Sequence, residues 1–191
     1  MRWRKLSMEK LKFILTLMLI ISLSSEAHIV SETKKMTRLH FYLHDVIGGD
    51  RPTVWGVAQC NLTDVLPSSF GRVMVLDNLV TSGPDPDSEE VGRMQGTVGQ
   101  ADLHEKALVM LLNLVFTKGE FEGSTLSILG RNPLAAESRE VPIVAGTGAF
   151  RMATGYIISS TYYNDPARVR NVYEYNAVVY HMDPNVVSLR R

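Results

Sequence analysis

Cysteine is almost absent from this chain of 191 residues: Cys60 is the only one. No disulfide can form within the chain, so the fold must be held by its core or by oligomerisation. The thiol, at the end of "TVWGVAQC", is expected to be a buried apolar strand residue. Long hydrophobic runs are lacking too. The one apolar run, Phe13 to Leu23, is shorter than the roughly 20 residues a membrane span needs, so no membrane segment is expected. It follows Arg2, Arg4, Lys5, Lys10 and Lys12 and is followed by Ser25 and Ala27, at the −3 and −1 positions before His28. That order is a secretory signal peptide over residues 1–27, which leaves residues 28–191 as one mature domain in the extracellular space. A basic surplus is also missing. Removing the leader takes away five Lys/Arg and two acids, leaving 15 basic against 18 acidic residues. A mildly acidic chain with no basic stripe gives nucleic acid no electrostatic footprint.

Several chemistries lack their residues. His40 and His44 share a strand face but stand about 13 Å apart along it, too far for one metal ion. No G-x-S-x-G elbow is present, and Cys60 has no His and Asn/Asp companions in a matching pattern. "GTGAF" (Gly146 to Phe150) precedes a strand rather than a helix, so it reads as a tight turn and not as a phosphate cradle. No metal or cofactor is expected.

What is present is strand after strand. Candidates run near 37–45, 53–60, 71–77, 91–100, 106–117, 124–129, 139–145, 149–162 and 170–182, separated by Gly, Pro, Asn and Asp clusters. "KALVMLLNLVF" (106–116) has a periodicity a helix could also carry; its neighbours and the turn "TKGEFEG" make it a strand. Both its faces are apolar, with Val109, Leu111 and Val115 opposite the core side. A strand covered on both faces implies contact between subunits. The acidic loop "TSGPDPDSEE" reads as a solvated connection. The pattern suggests an all-β fold, an antiparallel up-and-down barrel with a ligand-sized cavity, or else a two-sheet sandwich.

In "LHFYLHD" (39–45), alternation puts Leu39, Phe41, Leu43 and Asp45 on one face and His40, Tyr42 and His44 on the other. Either the strand ends at Asp45, or an apolar interior holds an acid for a purpose. Asp77 and Glu140 also fall near strand ends, and Arg139 opens "REVPIVAGTG". A carboxylate near a guanidinium in an apolar mouth can orient a phenol or transfer a proton; the same residues also read as solvated charges.

"FYLHD" (41–45), "FGRVMVLDNLVTSGPDPDSEEVGRMQG" (70–96), "NLVFTKGEFEGSTLSILGRNP" (113–133), "REVPIVAGTGAFRMATGY" (139–156) and "VYEYNAVVY" (172–180) occur in the order seen in plant dirigent proteins, and the chain resembles that family from about Leu39 onward. The resemblance implies an eight-stranded antiparallel barrel with a central pocket, a homo-oligomer (trimer or dimer), secretion to the apoplast, and glycosylation, for which Asn61-Leu62-Thr63 is an acceptor triplet. It implies a protein that oxidises nothing itself. A separate oxidase (laccase or peroxidase) makes phenoxy radicals from monolignols such as coniferyl alcohol, and the pocket steers their coupling. Some members instead dehydrate and cyclise isoflavanols to pterocarpans; a carrier that binds phenols unchanged needs the same cavity.

Carried over by motif, Asp45 is the pocket acid and Arg139 the pocket arginine, with Phe41, Leu43, Val98, Asn132 and Tyr175 as lining. Two positions depart from the family pattern. A pocket tyrosine is replaced by Val98, and an acid carried by some lignan-forming members is replaced by Asn132.

Overall fold

In a computed structural model, residues 8–32, 34–167 and 169–183 are described. The chain divides into two compact units, 1–34 and 35–191. In the first, helix α1 (Met8–Glu32) takes up the apolar run. Among the described residues no helix is long and apolar enough to cross a membrane. Arg2, Arg4 and Lys5 of the expected basic start lie outside the described residues.

The second unit is built from strands β1 (Lys34–Val46), β2 (Val54–Ala58), β3 (Val73–Thr81), β4 (Glu90–Gln100), β5 (Ala107–Phe116), β6 (Thr125–Pro133), β7 (Arg139–Thr147), β8 (Thr154–Asp165) and β9 (Arg170–Met182). Every neighbouring pair whose register is defined is antiparallel, in the order β1-β9-β8-β7-β6-β5-β4-β3-β2, and pairing of β1 with β3 closes the sheet. β1 and β2 share one edge of β3. Tyr42, Leu43 and His44 face Thr81, Val80 and Leu79, while Val54 and Trp55 face Leu76 and Val75. The two are therefore one barrel strand, interrupted by a loop pinched at its base where Thr53 N donates to Val46 O at 2.8 Å. Counted so, the barrel has eight strands, a width that fills with side chains or holds one small ligand.

Antiparallel closure selects the barrel over the sandwich and leaves one edge of the short β2 unpaired. The run 106–116 is a strand, as its neighbours suggest. "GTGAF" is a turn joining β7 to β8: Gly148 has φ +61°, and a side chain there would strike Ser124.

Two outward positions differ from expectation. Cys60 is exposed, because β2 ends at Ala58 and pairs along one edge only, so the thiol falls in the following turn. Its backbone N–H donates to Thr63 Oγ1 at 3.1 Å. His44, expected on a polar outer face, is buried. Its Nε2 lies 2.6 Å from Thr81 Oγ1, and that hydroxyl donates to Gly83 O at 2.7 Å. Thr81 must then accept from His44, so Nε2 carries the proton. Burial lowers the His44 pKa, with Asp85 opposing.

Inward positions divide the barrel lengthwise. At one end, Val80, Met94, Leu114, Phe116, Leu126, Phe150, Ile157 and Val179 are almost fully buried in one cluster. Phe116, Phe121 and Phe150 pack with ring centroids 4.7–5.6 Å apart and plug that end. At the other end the same strands surround a cavity.

Candidate active site

The cavity has a volume of about 290 Å³, at the lower bound of small-molecule sites. β1 contributes Leu43 and Asp45, β3 Met74, Leu76 and Asn78, β4 Val98 and Gln100, and β5 Leu108, Met110 and Leu112; the far wall carries Asn132, Arg139, Ser159, Tyr173 and Tyr175. Period-two alternation accounts for the set: each residue lies in phase with the core residues of its own strand. Arg72 and Lys106 also border the cavity.

Asp45 sits at the mouth, mostly buried. Asn78 Nδ2 donates to its Oδ1 at 2.8 Å, and Asn171 Nδ2 donates to its Oδ2 at 3.3 Å. Burial pushes its pKa above the ordinary carboxylate value, and the two amide donors offset only part of the rise. The carboxyl is thus a proton donor nearer to neutral pH than a surface aspartate. It also borders a groove on the outer wall, with His44, Pro84, Asp85 and Tyr163.

Arg139 is 3% exposed. Its Nη2 donates to Thr161 Oγ1 at 3.1 Å, and its Cζ lies 5.3 Å from the centre of the Tyr173 ring. Nε has no partner. Burial raises the Tyr173 phenol to about 12, Asp45 adding to the rise and Arg139 opposing it; Tyr175 is shifted the same way by burial. Both tyrosines therefore remain O–H groups at neutral pH. A buried cation, two phenols and an acid with a raised pKa suit an oxygen-bearing aromatic that gains or loses a proton at one end.

Of the residues singled out from sequence, Asp45, Arg139, Leu43, Val98, Asn132 and Tyr175 all line this cavity. Phe41 does not. It lies one inward position deeper on β1, in the packed core, and stacks on Tyr175 at 5.4 Å between centroids. Asp77 and Glu140 are not at the mouth but face outward, since alternation turns their neighbours Asn78 and Arg139 inward. Asp77 Oδ1 instead accepts from Arg93 Nε at 2.8 Å. Sequence reasoning passed over Asn78, Gln100, Ser159 and Tyr173. Two of them are in phase with a residue the sequence already singles out: Gln100 with Val98, and Tyr173 with Tyr175.

Comparison with known proteins supplies the family. The Dirigent-like protein model matches residues 36–180. Dirigent protein 1 of Arabidopsis thaliana is 46% identical over 148 residues, covering 78% of this chain and 80% of that protein. Pterocarpan synthase 1 of Glycyrrhiza echinata is 42% identical over 151 residues, covering 78% and 80%. The solved structure of a pterocarpan synthase dirigent protein superposes with a TM-score of 0.73 at 41% identity, over 79% of this chain and 87% of that one. A family match over residues 36–180, which reaches every strand of the closed barrel, together with 46% identity to a dirigent protein over most of both chains, places this chain in the dirigent protein family.

Proposed function

We propose that the protein is a secreted dirigent barrel that imposes stereoselectivity on the coupling of phenoxy radicals, such as those of coniferyl alcohol, generated by a separate laccase or peroxidase. The observation that carries this reading is a cavity open at one end of the barrel and lined by a buried guanidinium that has no carboxylate partner among the described residues. In each radical the oxidase has already removed one electron and one proton. Coupling forms one C–C bond between two radicals and leaves a bis-quinone methide; as Asp45 protonates a quinone-methide oxygen, the side-chain hydroxyl of the other unit adds to the methide carbon and returns its proton to the carboxylate, while Arg139 and Tyr173 hold the ring. The test is oxidation of coniferyl alcohol by a one-electron oxidant with and without protein, resolved on a chiral column. An enantiomeric excess that grows with protein supports the reading, and a racemate contradicts it.

A second reading is favoured by the size of the cavity, which suits one substrate better than two, and by likeness to pterocarpan synthases. Here Asp45 gives its proton to the leaving hydroxyl of an isoflavanol and water departs. The substrate's own phenol returns a proton to Asp45, and ring closure follows without any oxidant. Loss of water from an isoflavanol in the absence of oxidase distinguishes this reading from the first.

The leader over residues 1–27 supports export, and Asn61, on an exposed turn, supports a glycan. Thr63 of that triplet is buried, its hydroxyl donating to Phe70 O at 2.9 Å. A transferase that must read this hydroxyl acts before the turn folds. An outer apolar row supports a homo-oligomer. Trp55 faces Val75, Val75 faces Thr97, Thr97 faces Leu111 and Leu111 faces Leu129 across successive strands. Trp55, Leu111 and Leu129 are 60%, 53% and 44% exposed, a patch a partner subunit would cover.

A further inference from the structure

Two amides that line the cavity each keep an unpaired side-chain oxygen. Gln100 and Asn132 are 9% and 7% exposed, yet Gln100 Oε1 and Asn132 Oδ1 have no hydrogen-bond partner among the described residues. They flank one residue: Gln100 on β4 pairs with Leu108 on β5, and Leu108 pairs with Asn132 on β6. All three line the cavity at one level. A buried carbonyl left unpaired costs stability that an apolar residue of the same shape does not. A sequence that keeps two such groups side by side in its cavity is carrying them for something the cavity receives.

The geometry points to Gln100 and Asn132 as specificity-determining residues that together read a hydroxyl on the end of the substrate remote from Asp45. The strand order puts β6 four strands from β1 in either direction around the closed barrel, so Asn132 and Asp45 stand on opposite walls. A side-chain amide carries a donor and an acceptor on a soft terminal torsion, and a hydroxyl both donates and accepts. The pair matches that group better than a carbonyl, which only accepts, or an ether, which cannot donate. The substrate class is then a phenol oxygenated at both ends: one end engages Asp45, and the far end carries a free hydroxyl held by the amides. An acid at position 132 would do different work, since a carboxylate only accepts. This inference rests on the proposed phenolic function of the same cavity.

The experiment compares coniferyl alcohol with isoeugenol, which lacks only the side-chain hydroxyl. Binding is measured calorimetrically on the mature protein, the Gln100→Met variant and the Asn132→Leu variant, with thermal unfolding of each in the absence of ligand. The expected result is about ten-fold preference of the wild type for coniferyl alcohol, reduced to about two-fold in either variant, with isoeugenol affinity unchanged or improved. Unliganded Gln100→Met melts higher than the wild type, since an unpaired buried carbonyl is gone; a merely structural glutamine would make it melt lower. Equal binding of the two probes by the wild type, an undiminished preference in both variants, or a lower melting temperature in both variants overturns the inference while the phenolic reading stands. Binding of neither probe by the wild type overturns the phenolic reading and this inference with it.

Discussion

The two ends of the barrel are made from the same strands and obey different rules. On β5, Leu114 and Phe116 are locked into the aromatic plug, whereas Leu108, Met110 and Leu112, nearer its start, line open volume. On β9 the order reverses with the strand direction: Ala177 and Val179 pack, while Tyr173 and Tyr175 border the cavity. The plug is built of phenylalanine rings, and the polar ring packed against it, His181, is anchored by Thr37 at 2.9 Å. The cavity end keeps three buried polar atoms, Gln100 Oε1, Asn132 Oδ1 and Arg139 Nε, with no hydrogen-bond partner among the described residues. One end is organised for stability; the other holds groups that raise the energy of the empty protein, as sites commonly do.

The contrast breaks most strongly at Phe150, 0% exposed in the plug. Phe150→Ala should cost about 3–5 kcal/mol of stability, read from chemical denaturation. At the cavity end the balance inverts. Arg139→Met should leave stability unchanged or raise it by about 1–2 kcal/mol, since the buried cation has no carboxylate partner among the described residues. The same variant should lower stereoselectivity or turnover at least ten-fold, measured on protein verified as folded.

How much of this was legible in the sequence follows the same division. Alternation alone located the strands and placed Asp45 among apolar neighbours, because period two is a property of each segment by itself. It could not say how deep along the barrel a residue sits. Phe41 and Asp45 share a face two inward steps apart, yet one is plug and the other is mouth. Depth depends on the stagger of eight strands, a non-local quantity. Asp77 and Glu140 were drawn to the mouth as charges near strand ends, and phase then set them outside. Cys60 reads as core because "TVWGVAQC" is apolar, but β2 ends at Ala58 and the thiol falls in the exposed turn beyond it. Asn132 was recognised only as a departure from the family pattern; that Gln100 stands beside it across Leu108 required the register.

Asp45 gives a prediction in pH. Its folded pKa lies above 3.8, its ordinary value, so between the two the native state binds more protons than the unfolded chain. Stability should therefore fall as pH rises from about 3.8 through the raised value, then level off. Asp45→Asn should flatten that fall in thermal melts taken from pH 4 to 8. A fall of the same size in the variant would place the titration elsewhere.

The smallest stability effect is expected on the outer wall. Leu111→Lys should change monomer stability by less than about 1 kcal/mol, since the side chain is already half exposed. It should nonetheless shift sedimentation velocity toward the monomer, because a charge in the middle of an apolar contact is left without a partner. An unchanged sedimentation profile would remove this row from the subunit interface.

The most direct measurement is the enantiomeric composition of coniferyl alcohol coupling products, formed by a one-electron oxidant in the presence of wild type, Asp45→Asn or Phe150→Leu, each at equal folded concentration. The expected result is an enantiomeric excess that rises with wild type and with the plug variant and collapses with Asp45→Asn. A racemate with all three, or an excess that Asp45→Asn leaves intact, would contradict a cavity end built around that carboxyl for steering radical coupling.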